Sequence, residues 1–218
     1  MIISHGRSYV FVHIPKTGGT AMATALEGRA MKDDILIGDT PKAKRRKSKL
    51  ALLEPNGRLW KHSTLVDIDG VLSPTELKQM LVFTLVRNPW DRMVSYYHFL
   101  QEQTFTHRAV DLAQTSDFSG FLNDPQSAAS FAKYDYHSYV RDIRGQDQCN
   151  LFARLEHLET DLAPLWDHLG FELELPVVNA SARRRDWRGY YTAKDAETLG
   201  KIAARDIAQF GYQFDPAP

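Results

Sequence analysis

The densest chemistry in the chain lies in HIPKTGGT at 13–20, where Pro15, Lys16, Thr17, Gly18, Gly19 and Thr20 directly follow a short apolar run. Glycines let backbone N–H groups approach an anion closely, and a helix starting there aims the positive end of its dipole at the same point. Lys16 can reach over that anion, and Thr17 and Thr20 offer hydroxyls. The segment reads as a phosphate cradle. In a Walker loop the lysine follows the last glycine; here it precedes both. A lysine ahead of the helix can serve a leaving-group oxygen while the loop holds the leaving phosphate. That order suits transfer of a group attached to the phosphate.

A second constellation is VRNPWDRMVSYYH at 86–98, again directly after an apolar run. Arg87 leaves the strand end and Ser95 lies about two helical turns further on. A guanidinium fork plus a hydroxyl receives a terminal phosphate well, although an arginine here can equally serve a structural ion pair. Taken together, the two segments imply a ligand with two phosphate positions bound across strand ends, where open α/β sheets hold ligands.

The elements that must carry these motifs are legible in outline. Tyr9–Ile14 and Met80–Val86 read as buried strands, and Asn150–Leu155 as a third. Helices are expected over AMATALEG at 21–28, after the capping box Ser73-Pro74-Thr75-Glu76, and over 91–101. Two more are expected, over 158–169 with a stop at Gly170, and from a Thr192 cap to Phe210 with a stop at Gly211. Leu59–Ile68 reads as an extended segment or strand ending in a loop. Residues 104–150 read as short helices and loops. Strand, glycine turn and helix in this order make the fold class α/β.

Composition narrows the class of partner. The 218 residues suffice for one domain, 1–218, and 27 basic residues balance 27 acidic ones, which argues against a general nucleic-acid coat. One cysteine, Cys149, permits no internal disulfide, so a reducing, cytoplasmic setting is the simplest expectation. No apolar run is long enough for a transmembrane segment, and no signal peptide is visible. Peripheral membrane contact stays open, because residues 41–49 hold six basic residues in nine. That run reads as a solvated face or as a patch for acidic glycans or phospholipid head groups. Nothing aromatic interleaves with it as nucleic acid would require.

HIPKTGGT with a downstream RNP-x5-SYY resembles the carbohydrate-type, family 2 sulfotransferases and their bacterial relatives, which use 3′-phosphoadenosine 5′-phosphosulfate (PAPS). The resemblance implies a P-loop-like three-layer sandwich with a central, mostly parallel sheet. It implies that Lys16, Thr17, Gly18, Gly19 and Thr20 grip the 5′-phosphosulfate and that Arg87 and Ser95 bind the 3′-phosphate. FARLEHLETDLAPLWDHLG at 152–170, VVNAS at 177–181 and DIAQFGYQF at 206–214 resemble later parts of the family pattern. Agreement is weak over about 30–75 and 104–148, the variable acceptor-side regions.

The implied reaction moves a sulfuryl group from PAPS to a hydroxyl of an acceptor, a sugar or glycoconjugate, with adenosine 3′,5′-bisphosphate (PAP) released and no metal required. The family carries a histidine or an acid after the strand corresponding to WKHST, which makes His62 the first choice of base. His137 and His98 are the alternatives, with Asp67 and Glu102 behind them. His13, within a strand, reads as a packed, hydrogen-bonded residue. The family also places basic and aromatic residues near 183–191, so Asn179, Arg184, Tyr190 and Tyr191 are further cofactor-side candidates; Trp90 reads as a packing residue. Two other readings compete: a P-loop kinase of a small metabolite, and a non-catalytic anionic glycan- or lipid-binding protein.

Overall fold

The computed structural model describes residues 1–176, 184 and 186–215. These fall into two compact units, one from Met1–Val86 and Tyr136–Val178, the other from Arg87–Asp135 and Asn179–Pro218.

The first unit is built on a five-stranded sheet: β1 (Ile2–Ser4), β2 (Tyr9–Val12), β3 (Ile35–Leu36), β4 (Leu81–Val86) and β5 (Leu151–Arg154). Its order is β3-β1-β2-β4-β5. β2, β4 and β5 run parallel, whereas β1 pairs antiparallel with both β2 and β3. The sheet is therefore mixed, which corrects the expectation of a mostly parallel one. The reason is local. Residues 5–8 turn the chain back tightly, with Ser8 left-handed at φ 52°, so β1 and β2 form a hairpin.

Helix α1 (Gly19–Gly28) follows β2. Its Met22, Ala23 and Leu26 pack with Tyr9 and Phe11 of β2 and Phe83 and Leu85 of β4. Alternate strand residues reach this core because side chains point to opposite sheet faces with period two. α2 (Pro41–Arg45) and α3 (Pro74–Gln79) come next, α3 with the expected capping box between Ser73 and Glu76.

The second unit opens with α4 (Pro89–Gln101), capped by the side chain of Asn88. Trp90, Met93, Val94, Tyr97 and Leu100 recur at helical spacing and are buried. They pack against residues of α5 (Arg108–Thr115) and α6 (Phe118–Asn123), which precede α7 (Pro125–Lys133). The chain then re-enters the first unit with α8 (Tyr136–Val140), α9 (Leu158–Asp161) and α10 (Ala163–Leu169), and ends in the second with α11 (Ala193–Ile202) and α12 (Ala204–Phe210).

Three expectations on element limits shift. Leu59–Ile68 forms turns, not a strand. The helix over 158–169 is interrupted at Leu162, with Pro164 in the first turn of α10, and it ends as expected on a left-handed Gly170. The last helix is broken at Ala203. Among the described residues no helix is long and apolar enough to cross a membrane.

Candidate functional site

β2 delivers the chain into the loop His13–Gly18, and the loop delivers it into α1. The backbone is forced into a tight path: Lys16 takes φ 67° and Gly18 takes φ 86°. Only glycine adopts that second value without strain, and a Cβ at Gly18 would also lie 2.7 Å from Leu155 Cδ1. Lysine at positive φ is uncommon and is held by its surroundings. Thr17, fully buried, donates from Oγ1 to the Ile14 carbonyl at 2.9 Å and closes the loop on itself. Its hydroxyl therefore shapes the cradle. Pro15, Lys16 and Thr20 are half-buried at its rim.

No side chain caps the N-terminus of α1, and its first turn holds no acid. Its leading amides and dipole are thus aimed at the loop without an internal anion to answer them. Gly19 is required by close approach: a Cβ there would lie 2.1 Å from Cδ2 and 2.5 Å from Nε2 of His13. Glycine at these two positions makes room for the Leu155 side chain and the His13 ring, which lets the loop close tightly ahead of α1. A phosphate-like group fits this donor set.

His62 sits against the same floor. Its Nδ1 lies 2.8 Å from the carbonyl oxygen of His13. A carbonyl only accepts, so Nδ1 carries the proton and Nε2 presents its lone pair. The His13 and His62 rings meet edge to face with centroids 4.7 Å apart. Burial pushes His62 down to about 4, partly opposed by the bond to the His13 carbonyl. Burial likewise holds His13 well below its usual range, with His62 and Lys61 adding to the effect. Both rings are neutral at neutral pH, and His62 carries its lone pair at Nε2.

The other base candidates have partners of their own. His137, on α8, is buried and pairs through Nδ1 with Asp147 Oδ2, with Phe152 of β5 against its ring. Asp67 binds the Thr64 amide at 2.7 Å and closes a turn. His98, in the second unit, stands edge-on to Tyr97 and Tyr190. Glu102 caps the end of α4.

The second motif is ordered by its own unit. Asn88 accepts from the Trp90 amide at 3.1 Å and donates to the Gln213 carbonyl at 3.0 Å. The Arg87 guanidinium binds Asp91 Oδ2 through Nε at 2.8 Å and Nη2 at 2.6 Å. This i, i+4 pair fixes where the fork points. Ser95, two turns along α4, is buried. Trp90 donates to the Ala196 carbonyl at 3.0 Å and stacks on Trp187 with centroids 6.5 Å apart, a packing role. Tyr191 donates from its hydroxyl to the Trp90 carbonyl at 2.8 Å, which holds the start of α4. Arg184 is exposed. Asn179, Arg183 and Arg185 lie outside the described residues, as does the VVNAS segment.

Part of the basic run is spent on the fold. Lys42 donates to the carbonyl of Glu27, Arg46 to that of Met31 at 2.7 Å, and Lys49 to that of Lys32. These carbonyls surround the end of α1, where cations complement the dipole. Lys44, Arg45 and Lys47 remain exposed.

Sequence reasoning missed Asp91 and the contact between His13 and Gly19. The i, i+4 spacing from Arg87 was available for the first. Nothing in the sequence announces the second, because it needs the loop's path.

The family model described as the sulfotransferase family matches residues 1–212 of this chain. Among solved structures, the crystal structure of mouse sulfotransferase SULT7A1 complexed with PAP is similar in fold, with a TM-score of 0.50 and 16% sequence identity. The match covers 94% of this chain and 85% of that one. A search of curated protein sequences returns no match.

Proposed function

Since the chain belongs to the sulfotransferase family, we propose that it transfers the sulfuryl group of PAPS to a hydroxyl of an acceptor, a sugar or glycoconjugate. The observation that carries this reading is the bond between His62 Nδ1 and the His13 carbonyl. It sets a neutral imidazole, in the tautomer of a base, beside a glycine loop and helix N-terminus suited to an anion. The mouse relative is described as a complex with PAP, the product expected here.

The roles follow from charge flow. His62 takes the acceptor proton at Nε2 as the acceptor oxygen bonds to sulfur. The bond from sulfur to the bridging oxygen breaks, and its electron pair stays on the departing 5′-phosphate of PAP. Lys16 and the amides at the start of α1 stabilise the charge growing on that oxygen. Gly18 and Gly19 let the loop pack closely on Leu155 and His13, while Thr17 holds its shape and Thr20 lines it. Arg87, aimed by Asp91, and Ser95 take the 3′-phosphate, and we read 1–218 as one catalytic domain. The PAPS is substrate, spent each turnover.

Thermal unfolding with PAP, ADP, NAD and ATP–magnesium tests the donor class. A ligand at a hundred times its Kd stabilises by about 2.7 kcal/mol. PAP is expected to raise Tm most. Stabilisation by ATP–magnesium without any effect of PAP would favour the kinase reading and overturn this one.

A further inference from the structure

We propose that Trp60 is the platform on which a sugar ring of the acceptor stacks, presenting a hydroxyl to His62; the inference rests on the sulfotransferase reading above. Trp60 is 46% exposed, whereas Trp90 is 6% exposed. The exposed part of the indole offers an apolar surface beside the proposed base. Its ring and that of His62 meet at a right angle, with centroids 5.0 Å apart and planes at 88°. In this proposal a sugar ring laid on the exposed indole has the imidazole as its neighbour.

The turn that carries both residues is built to hold still. The Trp60 amide donates to Ser63 Oγ at 2.9 Å, and the Ser63 amide donates to the Trp60 carbonyl at 2.9 Å. Ser63 is fully buried, and its hydroxyl also faces the carbonyls of Arg58 at 3.0 Å and Trp60 at 2.9 Å. His62 is tied in turn to His13. The platform and the base are positioned by one rigid segment, so the platform also sets which hydroxyl the base meets.

A sugar suits an exposed indole with charged chain neighbours better than a flat aromatic alcohol does. Lys61 beside Trp60 pairs with Asp39 at 2.7 Å, and Arg58 is exposed. A sugar has an apolar C–H face for the indole and a rim of hydroxyls for these charged groups. A phenol would want an enclosed apolar slot, and an indole this open does not provide one.

The test uses saturation-transfer NMR on the whole chain with three probes: methyl β-glucopyranoside, methyl β-galactopyranoside and p-nitrophenol. It compares wild type, Trp60→Ala and Trp60→Tyr, each checked for folding by its thermal transition. At least one glycoside is expected to bind wild type. The alanine variant should bind it about tenfold more weakly, and the tyrosine variant should retain it. Undiminished glycoside binding by Trp60→Ala, no glycoside binding by wild type, or a preference for p-nitrophenol that depends on Trp60 would each overturn the proposal. Calorimetry with PAP runs alongside: a wild type that binds sugar through Trp60 yet never binds PAP refutes the donor reading and not the platform. A wild type that binds PAP with no role for Trp60 does the reverse.

Discussion

Replacing His62 by glutamine should leave a measurable trace in how stability depends on pH. In the folded protein burial pushes His62 down to about 4, against an ordinary 6.5. Between these values the unfolded chain holds a proton at this position and the folded chain does not. Stability therefore rises with pH across the window: it is fully present above 6.5 and is lost as pH falls toward 4. With 1.36 kcal/mol per unit, the loss is about 3 kcal/mol. Glutamine has no titrating group, and its side-chain amide can still donate to the His13 carbonyl. Urea unfolding of both proteins from pH 7.5 to pH 4 isolates the effect, because titrations common to both cancel in the difference. Wild type should lose about 3 kcal/mol relative to His62→Gln over that range. Parallel stability curves would show that His62 is not buried as described and would remove the basis for its lone pair at Nε2. Sulfuryl transfer by the variant should meanwhile fall by a factor of about 10²–10⁴, the usual worth of a general base, with PAP affinity unchanged.

Other substitutions probe the rest of the argument. Lys16→Ala should lower kcat for transfer by a factor of about 10²–10³, read with radiolabelled PAPS, and should change PAP affinity much less. Gly19→Ala drives a Cβ to 2.1 Å from the His13 ring, which is buried and cannot withdraw. A loss of about 1–3 kcal/mol in urea unfolding is expected from such overpacking, together with loss of transfer through the displaced His13 carbonyl. Asp195→Ala tests the second unit. Its carboxylate caps α11 from the third position and receives Thr192 Oγ1 at 2.7 Å, Asn123 at 2.8 Å and Ser119 at 2.9 Å. About 1–2 kcal/mol should be lost on chemical denaturation. Hydrogen bonds from these side chains hold the Asp195 carboxyl below its ordinary 3.8 despite burial. Its contribution is thus present above that value and disappears as acid takes the pH through the folded value, so the variant's deficit should shrink at low pH.

Much of the architecture was written in local signals. The capping boxes at Ser73 and Thr192 and the stop at Gly170 each satisfy backbone groups within one turn, so three or four residues suffice to specify them. β4 and β5 were visible as apolar runs. β1 and β3 were not, since three and two residues are too few to establish a period. The antiparallel pairs that β1 makes with β2 and β3 were therefore missing from the expected sheet. The breaks at Leu162 and Ala203 passed unseen because the apolar stripes continue across them.

For the site, the sequence alone determined the chemistry of each segment. A lysine before two glycines after a strand, and an arginine eight residues before a serine on a helix, are statements about donors at fixed local spacing, which covalent geometry largely enforces. What only the tertiary structure decided is which distant group meets the cradle. His62 is 49 positions from His13 in the chain, and nothing in the sequence alone joins the two. The N–H of a neutral, largely buried His62 calls for a fixed acceptor. The His13 carbonyl, brought there by the loop, is that acceptor.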